Sequence, residues 1–328
     1  MRVTNALLNH KTADAMLQYM IILLDDASTS FCHYEVPSGE RRLIHLDDLR
    51  AAIRLAMIEN LTIQFVYPDY ELPQEYQEVI DTIDHSDIKP LLAVTPDADV
   101  VTINGWEIDN KSLSGRVAVL RTAMSELLAH TRAVKDLLAV VQRLNVVITD
   151  LTTLTDTNRE AYMHWLNEVG QTVVELYING QSPQFNLLTD RMMLAAMNNC
   201  GAGDTCITLA PNGRFYVCPG FYYDDPENDV GDLRRGFDIK NRQLYKLNYA
   251  PICRQCDAWQ CRRCVWLNRH TTLEVNTPSH EQCVAAHLER NASRQLLTSI
   301  RQKGTFLPDK PEINEIDYLD PFEKLQER

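Results

Sequence analysis

Eight of the nine cysteines of this chain lie between residues 199 and 283, and their spacing suits metal binding. The most compact part reads Cys253-Arg-Gln-Cys256, then four residues, then Cys261-Arg-Arg-Cys264. Eight thiolates complete two four-cysteine sites, the ligand set of two [4Fe–4S] clusters or of two structural zinc ions. The residues alone predict metal binding, but they do not decide between iron–sulfur clusters and zinc ions. The eight are Cys200, Cys206, Cys218, Cys253, Cys256, Cys261, Cys264 and Cys283.

Local backbone signals would help the upstream cysteines to share a metal. Asn212 precedes a glycine, and this pair is a tight-turn signal between two extended pieces. A two-residue hairpin at that point brings Cys206 and Cys218 back toward each other. Gly201 and Gly203 permit close approach of the backbone to a cluster, where amide groups can hydrogen-bond to sulfur.

Composition and charge narrow the class of protein. With 328 residues, 45% of them hydrophobic, the chain is long enough for one large domain and a smaller appended one. Residues 1–199 contain a single cysteine, Cys32, so disulfides are not expected to hold the fold. The net charge of −13 argues against nucleic-acid binding. The start of the chain lacks the apolar core of a secretory leader, and the apolar run at 19–24 is too short to cross a bilayer. We therefore expect a cytoplasmic protein without membrane or nucleic-acid partners.

The elements that must position the cysteines alternate between strands and helices, which predicts an α/β fold with parallel strands in a sheet or partial barrel. Apolar runs and turn signals predict strands at 18–27, 61–67, 88–94, 99–103, 146–150, 172–178 and 184–188. Helical spacing of apolar residues predicts helices at 45–60, 74–84, 113–144, 155–171, 190–198 and 285–303. From residue 304 the chain is acidic and rich in proline, typical of a surface-packed tail or a docking segment.

The cysteine region resembles the SPASM domain of peptide-modifying radical S-adenosylmethionine (SAM) enzymes. The resemblance begins with Cys200, twelve residues, Gly213, four residues and Cys218. The family pattern continues C-x2-C-x5-C-x3-C and a final cysteine; here it reads C-x2-C-x4-C-x2-C before Cys283. The resemblance implies two [4Fe–4S] clusters. The first would use Cys200, Cys206, Cys218 and Cys264, and the second Cys253, Cys256, Cys261 and Cys283.

The front of the chain departs from the radical SAM pattern. Those enzymes hold a catalytic cluster with C-x3-C-x2-C after the first strand, and the matching positions here are Ser28, Cys32 and Glu35. The glycine-rich GGE motif that contacts the cofactor is replaced by Tyr67-Pro-Asp-Tyr70. Both losses indicate a pseudo-radical enzyme that does not bind SAM. Cys32 is predicted to be a buried or half-buried relic. Asp25, Asp26 and Glu35 are expected to be loop acids or to line a polar pocket.

The phrases LLDDASTSFCHYE and FNLLTDRMMLAAMNNCGAG are similar to the CXXX-repeat peptide maturases. The resemblance implies a degenerate partial (β/α) barrel of radical SAM type at 1–190. A small cysteine-rich SPASM-like domain at 191–284 and a C-terminal helix with its tail at 285–328 would follow.

The function implied by this resemblance is that of an accessory, non-catalytic iron–sulfur protein. It would form a heterodimer with an active radical SAM maturase and assist the modification of a ribosomally made precursor peptide, by peptide recognition, scaffolding or electron transfer. Two alternatives stay open. One is an enzyme that modifies peptides with its own clusters or barrel pocket, and the other is a zinc-stabilised binding module.

Overall fold

The computed structural model describes residues 17–313, except 40, 95, 198, 262 and 263. The last part of the predicted tail, 314–328, lies outside the described residues. The chain divides into two compact units. The first unit comprises Met1–Thr102 and Cys200–Ala250, and the second comprises Ile103–Asn199 and Pro251–Arg328. The predicted division at residues 190 and 284 stays a prediction.

Strands and helices alternate along most of the described chain, as the α/β prediction requires. The strands are β1 Tyr19–Leu23, β2 Thr62–Val66, β3 His85–Pro90, β4 Val100–Asn104, β5 Val117–Thr122, β6 Arg143–Ile148, β7 Gln184–Phe185, β8 Cys206–Leu209, β9 Arg214–Tyr216, β10 Gly231–Asp232 and β11 Gly236–Phe237. The helices are α1 Leu46–Glu59, α2 Gln74–Ile80, α3 Met124–Ala129, α4 Thr131–Leu138, α5 Asp156–Ile178, α6 Thr189–Met193, α7 Pro219–Asp224, α8 Val265–Thr272 and α9 His280–Arg301. None of these helices combines the length and apolar character needed to cross a membrane.

The sheet of the first unit joins the N-terminal strands to the first cysteine hairpin. Strands β1, β2, β3 and β4 are parallel neighbours in that order. On its other edge β1 pairs in parallel with β8, with Tyr19 opposite Cys206. Strands β9, β10 and β11 then continue the sheet in antiparallel fashion. The strand that carries Cys206 is therefore hydrogen-bonded to the first strand of the chain.

Burial of apolar side chains holds this unit together. Helix α1 begins after His45, whose ring accepts the amide of Asp47, and it ends at the left-handed Asn60. Its buried face, which includes Leu49 and Ile53, belongs to one core with residues from β1, β2, β8 and β9. Each such buried side chain contributes roughly 1.5–3 kcal/mol of hydrophobic stabilisation.

The second unit contains the parallel strands β5, β6 and β7 and a pair of long helices, α5 and α9. Two buried polar contacts fix α9. The hydroxyl of Tyr162 on α5 donates to the Glu289 carboxylate at 2.8 Å. The hydroxyl of Ser293 donates to the Leu188 carbonyl at 2.6 Å.

Two predicted elements are wrong, and the others overlap observed ones. The long helix predicted at 113–144 is instead β5, α3, α4 and the start of β6. Its apolar spacing was misleading because the buried strand β5 carries apolar side chains on both faces and does not alternate. The strand predicted at 172–178 lies inside α5, where Val173 and Val174 are buried. Packing there overrides the strand preference of these β-branched residues.

Candidate metal centre

A tight glycine turn precedes the first cysteine hairpin. Gly201 and Gly203 have φ of +67° and +76°, and the amide of Cys206 donates to the Gly201 carbonyl at 2.9 Å. A Cβ added at Gly203 would lie 2.6 Å from the ring of Tyr245. At Gly201 it would lie 2.1 Å from the hydroxyl of Thr205. Glycine is therefore required at both positions by backbone conformation and by space.

The predicted hairpin is present, with Gly213 at φ +76° in its turn. Thr208 pairs with Tyr216. Extending this register by two residues places Cys206 opposite Cys218, as the sequence predicted. Cys218 then occupies the N-cap of α7.

Both cysteines of this hairpin have raised pKa values, mainly because of burial. Burial, with a smaller contribution from Cys200, raises the pKa of Cys206 to about 12. Burial also raises the pKa of Cys218, and neighbouring Cys200 and Cys32 raise it further. The nearby backbone amides of Phe221 and Gly220 favour the charged thiolate and act on the pKa of Cys218 in the opposite direction. Such thiols stay protonated unless a cation compensates their charge, and a bound metal supplies that charge.

The resemblance assigned Cys253, Cys256, Cys261 and Cys283 to the second cluster, and all four belong to the second unit. Burial raises the pKa of the Cys261 thiol, and Cys253, Cys283 and Cys256 raise it further by their proximity. Turns shape this loop, since the amide of Cys256 donates to the Cys253 carbonyl at 3.1 Å. The amide of Ala258 donates to the Cys256 sulfur at 3.4 Å.

Cys264 belongs to this second unit, whereas Cys200, Cys206 and Cys218 belong to the first. Cys264 is buried at the N-cap of α8, and its sulfur accepts the amide of Leu267 at 3.4 Å. The sorting of the eight cysteines into two sites stays a prediction.

Sequence reasoning missed two residues beside the second set. Among the described residues, the ligand atoms of Cys256, Asp257 and His287 all lie within 4.8 Å of one another. The Nε2 of His287 lies 3.7 Å from the Cys256 sulfur, and its Nδ1 lies 2.9 Å from the Cys283 carbonyl. The signal was the spacing Cys283-x3-His287, which places both on one face of a helix.

Two arginines hold Asp257 and its loop. The guanidinium of Arg290, which has no exposed surface, lies 2.7 Å from a carboxylate oxygen of Asp257. Arg191 donates to the Asp257 carbonyl at 2.6 Å and lies 3.7 Å from the centre of the Trp259 ring. The Asp257 carboxylate is thus already neutralised by protein charge.

The front loop carries three side chains at the positions that correspond to ligands of a catalytic cluster, namely Ser28, Cys32 and Glu35. Ser28 is fully buried, and its hydroxyl donates to the Val66 carbonyl at 2.7 Å while accepting the amide of Asp25 at 3.0 Å. Glu35, at the third position, is exposed. Cys32, at the second, is half-buried, as predicted.

The acidic residues of this loop have protein partners. The Asp25 carboxylate accepts a hydrogen bond from the hydroxyl of Tyr70 at 2.7 Å. Tyr70 belongs to the segment that replaces the GGE motif, so this segment contacts the front loop. Asp26 accepts the hydroxyl of Tyr222 and lies 3.4 Å from Arg42. These contacts stabilise the loop.

Comparison with known proteins shows a relationship in fold. No protein-family model matches the chain, and no curated protein matches its sequence. Among solved structures, anSMEcpe with bound AdoMet and the Kp18Cys peptide aligns with a TM-score of 0.56 at 11% identity, over 87% of this chain and 99% of that chain. The same protein with AdoMet and the Cp18Cys peptide aligns with a TM-score of 0.56 at 12% identity over the same shares. Because anSMEcpe is a SPASM-domain radical SAM enzyme, this mixed α/β chain has a fold of the radical SAM type.

Proposed function

We propose that this chain is a non-catalytic iron–sulfur subunit of a ribosomal-peptide modification system. It holds two [4Fe–4S] clusters in a SPASM-like region and acts in the cytoplasm with an active radical SAM maturase. One observation carries the proposal. On a radical SAM-type fold, the Ser28 hydroxyl donates to a backbone carbonyl at one cluster-ligand position, while eight cysteines elsewhere in the chain have the spacing of cluster ligands.

The front loop argues against catalysis by this chain. An open catalytic cluster needs three thiolates, because its fourth iron must accept the methionine part of SAM. Serine and glutamate replace two of these thiolates here. The Ser28 hydroxyl is also committed to the Val66 carbonyl and the Asp25 amide. Restoring a thiolate at residue 28 would remove both hydrogen bonds from a fully buried position.

The cysteine sets fit iron–sulfur clusters in their donor chemistry. Cys206 is buried and Cys261 half-buried, and burial raises the pKa of both thiols. A bound metal centre would favour their thiolate forms by compensating the negative charge. Bound clusters would supply structural cross-links and one-electron redox chemistry. Amide hydrogen bonds to the sulfurs of Cys256 and Cys264 would orient these ligands.

A peptide partner is proposed because the structural neighbour anSMEcpe is described in complex with peptides. In a complex with a catalytic maturase, this chain would bind the precursor or hold it for its partner. Electron transfer through the clusters is the further role that two such centres permit.

The first test is iron and sulfide content, with an absorption spectrum, on chain purified without oxygen. We expect about eight irons per chain, the content of two cubane clusters. About two zinc ions without sulfide would replace this proposal with a zinc-stabilised module. About twelve irons would indicate a third cluster and a catalytic role.

The second test separates an accessory role from catalysis. The loaded chain is incubated with SAM and reductant, and cleavage of SAM is measured. We expect no cleavage by this chain alone, and cleavage only when the partner maturase is added. SAM cleavage by the chain alone would contradict the accessory role.

A further inference from the structure

The nine cysteines divide unequally between the two units. The first unit contains Cys32, Cys200, Cys206 and Cys218, and the second contains the other five. We propose that Cys32 is the fourth thiolate of the first metal site, so that a complete four-cysteine set lies within the first unit. The inference rests on the proposed metal-binding role and changes the assignment of one ligand. It gives Cys32 the place that the family resemblance gave to Cys264.

The backbone gathers three cysteines of this set. The glycine turn links Cys200 to Cys206, whose amide donates to the Gly201 carbonyl at 2.9 Å. The hairpin of β8 and β9 then returns the chain from Cys206 toward Cys218. These three cysteines are therefore brought into one region without any contribution from Cys32.

Contacts that involve no sulfur hold the Cys32 loop against the helix that follows Cys218. The ring of Tyr34 stacks on Tyr223 of α7, with centroids 5.4 Å apart and planes 20° apart. The hydroxyl of Tyr222, also on α7, donates to the carboxylate of Asp26. Asp26 and Tyr34 lie on either side of Cys32 in the sequence, and Cys218 caps the helix that both contact. The loop is thus tied to α7 on both sides of its cysteine.

The loop also has a defined local conformation. The hydroxyl of Ser30 donates to the Tyr34 carbonyl at 2.6 Å and closes a turn with Cys32 at its middle. The hydroxyls of Thr29 and Thr102 lie 2.6 Å apart and tie the loop to β4.

This assignment explains why a single cysteine stands in a loop that has lost the other two ligands. One thiolate cannot hold a cubane cluster, but it can complete a site that already has three thiolates. Cys264 is then not needed by the first site.

The test compares Cys32→Ser with Cys264→Ser in the full chain, reconstituted without oxygen. The readouts are iron per chain and the electron paramagnetic resonance spectrum after reduction. We expect Cys32→Ser to lose about half of the iron or to alter the signal of one cluster, and Cys264→Ser to keep the wild-type count and spectrum. Unchanged iron and spectrum in Cys32→Ser, with loss in Cys264→Ser, would overturn the inference.

A second measurement uses the wild-type chain and does not depend on the folding of a variant. The loaded and metal-free proteins are treated with iodoacetamide without oxygen, and modified cysteines are identified by mass spectrometry. We expect Cys32 and the exposed Cys200 to be protected in the loaded protein and modified after metal removal. Equal modification of Cys32 in both forms would overturn the inference.

The same data separate failure of this inference from failure of the proposed function. About eight irons with unprotected Cys32 would leave the iron–sulfur role intact and remove Cys32 from the site. Zinc in place of iron, with Cys32 protected, would support Cys32 as a metal ligand and overturn the iron–sulfur role. A chain that binds neither metal would overturn both.

Discussion

Arg290 and Asp257 form the ion pair that ties the second cysteine loop to α9. Three nitrogen–oxygen contacts of 2.7–3.1 Å join them, and the Arg290 side chain has no exposed surface. A buried guanidinium without a charged partner is costly, because it keeps its desolvation penalty and loses its compensation. The pair therefore connects the stability of α9 to the conformation of the loop between Cys256 and Cys261.

Replacement of Asp257 by asparagine should destabilise the loaded chain by about 3 kcal/mol, because Arg290 would stay buried with its charge uncompensated. Urea unfolding measures the loss. The matched control is Asp136→Asn, which breaks the exposed pair with Arg132 on α4 and should cost about 0.5 kcal/mol or less. Equal losses of unfolding free energy in the two variants would show that burial of Arg290 does not increase the contribution of its ion pair to stability.

Gly203→Ala tests the tight turn before the first hairpin. Gly180→Ala is the control, because Gly180 also has positive φ, +81°, but no atom within 4 Å of an added Cβ. The free energy of unfolding of the control should fall by about 1–2 kcal/mol, because of backbone strain alone. Gly203→Ala should lose more, since its Cβ would lie 2.6 Å from Tyr245. Unfolding free energies of the loaded proteins give the comparison, and equal losses would remove the steric argument.

Helices α5 and α9 meet through a buried hydroxyl–carboxylate contact. Tyr162 donates to Glu289 at 2.8 Å. Burial and the neighbouring carboxylate raise the pKa of Tyr162 well above its usual value. The folded chain therefore keeps this proton at a pH where the unfolded chain releases it, and the contribution to stability is lost as pH rises above about 10.

Tyr162→Phe should lower the free energy of unfolding at neutral pH by about 1–3 kcal/mol, because Glu289 loses a buried donor. Above about pH 10 the stability of the wild type should fall more steeply than that of the variant. Denaturation across this pH range measures both effects. Tyr19→Phe, at a side chain 48% exposed, is the control and should change little. Parallel pH profiles of wild type and Tyr162→Phe would contradict the assignment.

The elements that the sequence predicted well are those with local signals. The hairpin followed from Asn212 and Gly213, and the first helix from its early acids and apolar spacing. The region 113–144 was misread because apolar spacing cannot separate a doubly buried strand from a helix. At the metal centre, cysteine spacing named eight candidate ligands. The position of the Cys32 loop beside α7 could not be read from spacing, because the Tyr34–Tyr223 stack and the Asp26–Tyr222 hydrogen bond create it.

The first unit is built from two distant parts of the chain. Strand β1 has β2 on one side and β8 on the other, and Ile207, Leu209 and Phe215 belong to the same core as β1. An N-terminal fragment would have an unpaired strand edge and an incomplete core. The first unit therefore takes residues from both parts of the chain.

A fragment of residues 1–190 should therefore lack cooperative unfolding. Urea denaturation followed by circular dichroism measures this, and the full loaded chain is the control. A cooperative transition of the fragment would show that the predicted barrel segment folds alone and that β8 is dispensable.

The pairing of Tyr19 with Cys206 also sets an order of events during synthesis. At ribosomal rates of about 5–20 residues per second, β1 waits on the order of 10–40 s for its β8 neighbour to be made. During that interval an apolar strand edge is open to other nascent chains, and the first cysteine site does not yet exist. If the hairpin cysteines bind metal as proposed, metal delivery follows translation of the hairpin, and chains made faster than metal is supplied would accumulate with metal-free, oxidisable thiols.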